Sequence, residues 1–450
     1  MATEPKPIWH TYLIFVAPMV LSSILQALSG TLNNIYLGNM IGVKALAAVS
    51  VFFPIMFLFV AFVMGLSSGT IVLIGQAHGA GLRERVKTIA GTAFAIAMFL
   101  GAAIAVFGVV FVRPLMELMA TPPDILADAT LYARLMMMSM VVLFPFLVSA
   151  SIIRGVGDSV TPLIAFTIFT SMGLIITPAL IAGWFGLPPI GVASAAVASL
   201  VSAAATLLLL GLYLRARAHP MSPDAAFWRG MRLEPKLSGT IARLGLPSAV
   251  QIAAMALAEL VLLGLINRYG VEATAAYGAV NQVISYVQFP AISIAITASI
   301  FAAQAIGRAQ SDRLHAIVQA GMMLSFCFTG ALTVLVLLLS RDIISLFVTD
   351  PQVIDLARQQ LNVVLWSAIV FGLSGVLTAV MRASGTVFAP MGLSITAIAV
   401  IGVPSAILLR NSYGIAGVWM AYPIIFFSML LLQATYYALI WRRRSIARLV

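Results

Sequence analysis

Residues 159–214 contain no charged side chain over 56 consecutive positions. As a continuous helix that run would be about 84 Å long at 1.5 Å per residue, far more than one bilayer crossing. Gly183, Gly186, Pro188 and Pro189 interrupt it, so it reads as two membrane spans joined by a turn. The rest of the chain repeats the pattern of long uncharged runs between short basic clusters. Roughly 20 apolar residues cover about 30 Å of hydrocarbon. The gaps between charges then place spans at 7–43, 45–82, 88–112, 135–153, two within 159–214, and 244–267, 273–307, 314–340, 359–381, 383–409 and 411–441, twelve in all. Composition agrees: 62% of residues are hydrophobic and 9% charged, against about 25% charged in a soluble domain.

The net charge of +11 invites a nucleic-acid reading, but the distribution of basic residues excludes it. With a cytoplasmic N-terminus, 18 of the 25 Lys and Arg residues fall on the inner side, in the clusters at Lys6, Arg83–Lys87, Arg154, Arg215–Arg243, Arg308–Arg313, Arg382 and Arg442–Arg448. The positive-inside rule therefore puts both termini in the cytoplasm of a multi-pass inner-membrane protein. The first apolar stretch is too long for a cleavable signal. The single cysteine, Cys327, excludes an internal disulfide, and the four histidines are scattered without metal-ligand spacing. Each lysine follows Pro or Val, so no Gly-Lys-Ser/Thr phosphate loop exists and no ATP motor is expected.

The two halves repeat at an offset of about 228 residues. Gly42 pairs with Gly270, Gln76-Ala77-x-Gly79 with Gln304-Ala305-x-Gly307, Thr121 and Pro123 with Thr349 and Pro351, and Arg154, Gly157 and Pro162 with Arg382, Gly385 and Pro390. These matches lie at loops and helix starts, where shared hydrophobicity cannot create them. Six spans per half make both halves enter from the same side, related by a pseudo-twofold axis along the membrane normal. The expected organisation is an N-terminal six-helix lobe (1–214), a cytoplasmic linker (215–242) and a C-terminal six-helix lobe (243–450). Thr161-Pro162, Asp350-Pro351 and Thr121-Pro122-Pro123 read as helix caps followed by proline in the first turn. Pro18 and Pro247 are bending points in the first helix of each half.

Within the spans, one acidic residue stands out. Glu259 precedes Arg268 by nine residues, about 13 Å of helix, and so lies inside the hydrocarbon. An ionised carboxylate there costs at least about 2.5–3.5 kcal/mol. Protonation, a bound cation or a polar cavity would relieve that cost, and each suits exchange of a proton or Na⁺ for a cationic solute. A structural hydrogen bond is the plainer alternative. Gln26, Asn33, Asn34 and Tyr36 form a polar set on the first helix, able to bind a cation or solute or to bond a neighbouring helix. On the eighth span, Tyr277, Asn281 and Gln288 share one face, as a wet cavity wall would. The tenth offers Asn362 and Trp366, while Gln359 and Gln360 read as surface residues. Met136, Met137, Met138 and Met140 form either a soft pocket or packing filler.

The motifs Pro18…Asn33-Asn34-Ile-Tyr-Leu-Gly38…Gly42…Ala45-Leu-Ala-Ala-Val-Ser50, Phe53-Pro54-Ile55, Gln76-Ala-His-Gly-Ala-Gly81 and Arg154-Gly-Val-Gly-Asp158 resemble the multidrug and toxic compound extrusion (MATE) transporters. Gly245-Leu-Pro247, Asn281, Phe289-Pro290 and Gln304-Ala-Ile-Gly307 carry the likeness through the second half. The resemblance implies a monomeric twelve-helix exporter of small cationic or amphipathic substrates, driven by inward H⁺ or Na⁺, with no cofactor and no catalytic chemistry. Many bacterial members have aspartate where this chain has Asn33. Members with a seventh-helix glutamate often carry it where this chain has Met255. Glu259 lies one turn further along the same face, so the coupling role is assigned to it, and Met255 to the substrate path. A lipid-linked precursor flippase of the same superfamily is the alternative, disfavoured because the arginines lie mainly in loops.

Overall fold

Lipid offers no hydrogen bonds to the backbone, so uncharged runs of this length must satisfy their amides internally as helix. The computed structural model bears this out over the residues it describes, which are 8–119, 121–186 and 188–450. Lys6, one of the basic residues used for orientation, lies outside them. The protein is an all-α integral membrane protein. Eleven helices are long and apolar enough to cross a membrane. They are α1 (Ile8–Ile41), α2 (Val43–Gly79), α3 (Arg83–Leu118), α4 (Pro123–Gly155), α5 (Val160–Ala182), α6 (Ala193–Ala216), α8 (Pro235–Tyr269), α9 (Val271–Gly307), α10 (Arg313–Leu338), α14 (Phe388–Tyr413) and α15 (Ile415–Arg443). The short helices α7 (Ala225–Gly230) and α11 (Ser340–Ser345) lie in connections. The twelfth span is the pair α12 (Pro351–Val364) and α13 (Ser367–Ala383), bent by 42°. No proline marks that bend. The Ser367 hydroxyl donates to the Val364 carbonyl there, competing with the backbone ladder.

Several helices overrun the lengths expected from charge gaps. α4 starts at Pro123 rather than 135, and α12 at Pro351 rather than 359. The stretches added at their starts carry Asp124, Asp128 and Arg134, and Asp355 and Arg358. Charges mark where hydrocarbon ends, not where helix ends.

The chain forms two compact units, one of residues 21–246 and one of residues 1–20 with 247–450. The chain passes from one to the other inside α1 and inside α8, and the 215–242 segment belongs to the first of them. Within that unit, glycines bring helices to backbone contact. A Cβ on Gly101 of α3 would lie 2.4 Å from the Met140 carbonyl oxygen of α4, and one on Gly245 of α8 would lie 2.5 Å from that of Gly65 in α2. Such close approach drives packing where no hydrophobic force separates helix from lipid. Met136, Met137 and Met140 are buried in this packing and Met138 faces outward, so the methionine cluster is filler.

The repeat is visible in backbone geometry. Gly42 and Gly270 both hold the left-handed region between consecutive helices, with φ of 120° and 102°. Gly157 and Gly385 do so at 97° and 86°. Only glycine adopts these values without strain.

Capping departs from the sequence reading in two places. Asp350 caps α12 as expected, accepting the Gln352 N–H at 2.8 Å with Pro351 in the first turn. At α5 the cap is Asp158 rather than Thr161. Its carboxylate accepts the N–H groups of Val160 (2.9 Å) and Thr161 (3.0 Å), and the Thr161 hydroxyl donates to it as well. Thr121 instead closes α3, donating to the Met116 carbonyl at 2.7 Å. Partial burial pushes the Asp158 carboxyl up, but His219, 3.4 Å away, and the Thr161 and Val160 donors outweigh it and hold the pKa down at about 2.

Asp158 therefore stabilises the fold fully above the ordinary carboxylate value of about 3.9, and this contribution is lost as pH falls towards 2. Asp158→Ala is expected to cost about 1 kcal/mol at neutral pH. Thermal unfolding in micelles should show that gap closing between about pH 4 and 2.

Candidate functional site

The sequence-derived candidates divide between the two units. Glu259, Met255, Tyr277, Asn281, Gln288, Asn362 and Trp366 belong to the unit holding 247–450, and Gln26, Asn33, Asn34 and Tyr36 to the other.

In the first set the structure assembles a polar cluster. Tyr277 on α9 and Tyr422 on α15 are buried, 4% exposed each, and their hydroxyls are 2.6 Å apart. The Asn281 side chain, one turn along α9, lies beside both hydroxyls, and the Glu259 carboxyl on α8 is near enough to act on both electrostatically. Three helices thus converge on one acid, one amide and two phenols. Glu259 itself is exposed, and no hydrogen bond or ion pair holds it among the described residues. Met255, one turn earlier, packs on the apolar core that contains both tyrosines.

The remaining members are peripheral to this cluster. Gln288 is half-buried two turns beyond Asn281. Asn362 is exposed on α12, and Trp366, at the α12–α13 bend, rests on Phe427 with ring centroids 5.5 Å apart. Gln360 is corrected: it is not a surface residue but fully buried, with neither amide atom hydrogen-bonded. An unpaired buried amide costs about 1–3 kcal/mol.

In the other unit, the Asn33 carbonyl accepts a hydrogen bond from the Thr177 hydroxyl of α5 at 2.9 Å. That contact ties α1 to α5 next to the π-helical turn Leu37–Ile41 that ends α1. Asn34 and Tyr36 are half-buried and Gln26 is exposed.

A separate polar chain anchors α8. Gln251 donates to Ser394 (3.0 Å), Gln433 donates to the same hydroxyl (2.8 Å), and Thr378 donates to Gln433, linking α8, α14, α15 and α13. Among the described residues no three His, Cys, Asp or Glu side chains converge. The groups recorded beside Glu259 are the neutral phenols of Tyr277 and Tyr422, with the Asn281 amide bonded to them.

Tyr422 escaped the sequence reading because it is 145 residues from its partner. Its tyrosine in an apolar run resembles many interfacial tyrosines. Tyr277→Phe alone strands one buried hydroxyl and should destabilise by about 1–3 kcal/mol. The Tyr277→Phe, Tyr422→Phe double variant should cost less than the sum of the singles, as read by a double-mutant cycle of thermal unfolding.

Comparison with known proteins agrees with this architecture. The MatE family profile matches residues 18–181 and 247–408, one block per half. The Bacillus subtilis protein named probable multidrug resistance protein YoeA is 39% identical over 450 residues, covering 99% of this chain and 97% of that protein. A Shewanella oneidensis FAD transporter is 26% identical over 335 residues, 74% of each chain. Among solved structures, a variant of the Vibrio cholerae MATE transporter VcmN superposes with a TM-score of 0.90 at 17% identity, covering 97% of this chain and 98% of that one. The two matched blocks, the full-length relative and the shared fold lead to one conclusion: the chain belongs to the MATE family of membrane transporters.

Proposed function

We propose that the chain is a secondary active antiporter that exports organic cations and amphipathic drugs by alternating access, in exchange for H⁺ or Na⁺ entering from outside. The carrying observation is Glu259. It is exposed and unpaired at hydrocarbon depth, beside Tyr277, Asn281 and Tyr422. A carboxylate left facing lipid would cost several kcal/mol, so the reading gives it a water-filled path. There it alternates between a coupling ion and release of that ion. A proton can be taken by the carboxyl alone, whereas Na⁺ would draw on the neighbouring phenol and amide oxygens. Asn33 and Asn34 add neutral amide oxygens on α1 and carry no proton.

The substrate path is assigned to Gln26, Tyr36, Met255, Tyr277, Asn281, Gln288, Asn362 and Trp366, which mix aromatic faces with neutral polar groups as a cationic amphipath requires. The substrate class follows the multidrug resistance relative, which matches at higher identity and over more of its length than the FAD transporter. Passage of the chain between units next to Pro18 and Pro247 supports bending there. The basic-residue bias supports a bacterial inner-membrane protein with both termini cytoplasmic, and the proposal takes it to act as a monomer that performs no covalent chemistry.

In vesicles loaded with a cationic dye, wild-type efflux should follow an imposed pH or Na⁺ gradient. Glu259→Gln should bind the dye but lose gradient-driven efflux, falling to the level of protein-free vesicles. Efflux by that variant still proportional to the gradient would remove Glu259 from coupling.

A further inference from the structure

The connection between α6 and α8 is pinned to the flank of the unit formed by residues 21–246. Asp224 caps α7 by accepting the Phe227 N–H at 3.0 Å and pairs with the Lys87 ammonium of α3. Gly230 sits so close to α3 that a Cβ on Gly91 would lie 2.5 Å from its carbonyl carbon. The Thr92 hydroxyl donates to the Gly230 carbonyl at 3.3 Å, and Phe94 meets Phe227 edge to face with centroids 5.7 Å apart. These ties make the connection a fixed roof.

Beneath the roof is an open groove of about 450 Å³, walled by Val142 of α4, Leu208 and Gly211 of α6, and Phe227. That volume falls in the range of small-molecule pockets, about 300–1,000 Å³. Arg215 is the one charged residue lining it. Two of its N–H groups, from Nε and Nη2, are held on the Pro223 carbonyl at 3.0 and 2.8 Å, which aims the guanidinium and leaves three of its five donors unused. Arg229 is exposed on α7 next to Trp228, which also lines the groove and is 50% exposed. Residues 215–243 carry six Lys and Arg against two acids, and Lys87 already neutralises one of those acids. On the same helix, Leu208 and Leu212 are 65% and 54% exposed, as side chains facing lipid tails are.

We propose that this groove is a binding site for one anionic phospholipid from the surrounding bilayer, with an acyl chain along the Leu208–Gly211 wall and the phosphate held by Arg215 and Arg229. An apolar slot with a cationic mouth and a tryptophan at its rim matches the layered chemistry of a lipid: tail, interface, phosphate. A tail gains little by leaving other tails, since lipid is as apolar as leucine. Selectivity therefore resides in the headgroup, with each arginine contributing roughly fivefold. The site is built from residues of the 21–246 unit, none of them a member of the Glu259 cluster, and does not depend on what the protein transports.

The test uses full-length protein in phosphatidylcholine vesicles containing brominated phosphatidylglycerol or, separately, brominated phosphatidylcholine of the same chain length. The readout is quenching of the fluorescence due to Trp228, taken as the difference between wild type and Trp228→Phe. Phosphatidylglycerol should quench this signal at a roughly 25-fold lower mole fraction, about fivefold from each arginine. Arg215→Gln and Arg229→Gln should each lower the preference roughly fivefold while leaving quenching by phosphatidylcholine intact. That retained quenching also shows that the variants are folded. Equal quenching by the two lipids in the wild type, or a preference that survives both substitutions, overturns the proposal.

Discussion

The constraint on which this structure depends is the absence of any hydrogen-bonding partner in hydrocarbon. Every amide within the bilayer must be satisfied by its own helix, which leaves only side chains to join one helix to the next. In this protein the joining is done mostly by what is missing. Glycines at 65, 101 and 245 let backbones touch, with separations that would not admit a single methyl group. Polar ties join helices as well, among them Asn33 to Thr177, Tyr277 to Tyr422, and the chain through Ser394. Each closes on another side chain and so hides its polarity from lipid. Glu259 is the exception, a carboxyl exposed beside such a closed pair rather than part of it.

That contrast separates structural from functional polarity. A tyrosine pair at 2.6 Å satisfies itself and fixes where α9 and α15 meet. Asn281 lies beside the pair and joins its hydrogen bonding, whereas Glu259 does not. The result is a rigid neutral wall next to one ionisable group. That combination suits the coupling role proposed for Glu259, because a wall that reorganised with each ion would spread the energy of binding among many small motions.

Much of the fold was legible because its signals are local and binary. Charge against no charge located the twelve spans, and glycine at fixed offsets revealed the repeat that the φ values of Gly42, Gly270, Gly157 and Gly385 display. Helix ends were less legible, since α4 and α12 carry their first charged turns beyond the hydrocarbon. The bend before Ser367 was invisible because no proline marks it; a serine hydroxyl bonded to the Val364 carbonyl lies there instead. Asp158 displaced Thr161 as a cap because both residue types cap well and only loop geometry decides between them. Of the candidate site, Glu259, Tyr277 and Asn281 could be found from depth and helical spacing. Tyr422 and Thr177 could not, as pairing across about 145 residues leaves no trace in either local segment.

The hydrogen bond from Gln251 to Ser394 fixes α8 eight residues before Glu259, about 12 Å along the axis. Helix α8 is thus clamped on one side of its carboxyl and ends at Tyr269 on the other. Past that tie the helix stays seated, since Ala258, Leu262 and Ile266 are buried in the core that holds Tyr277 and Tyr422, and the Thr274 hydroxyl donates to Asn267 at 2.9 Å. The carboxyl is therefore carried on a stretch of helix fixed both before and after it.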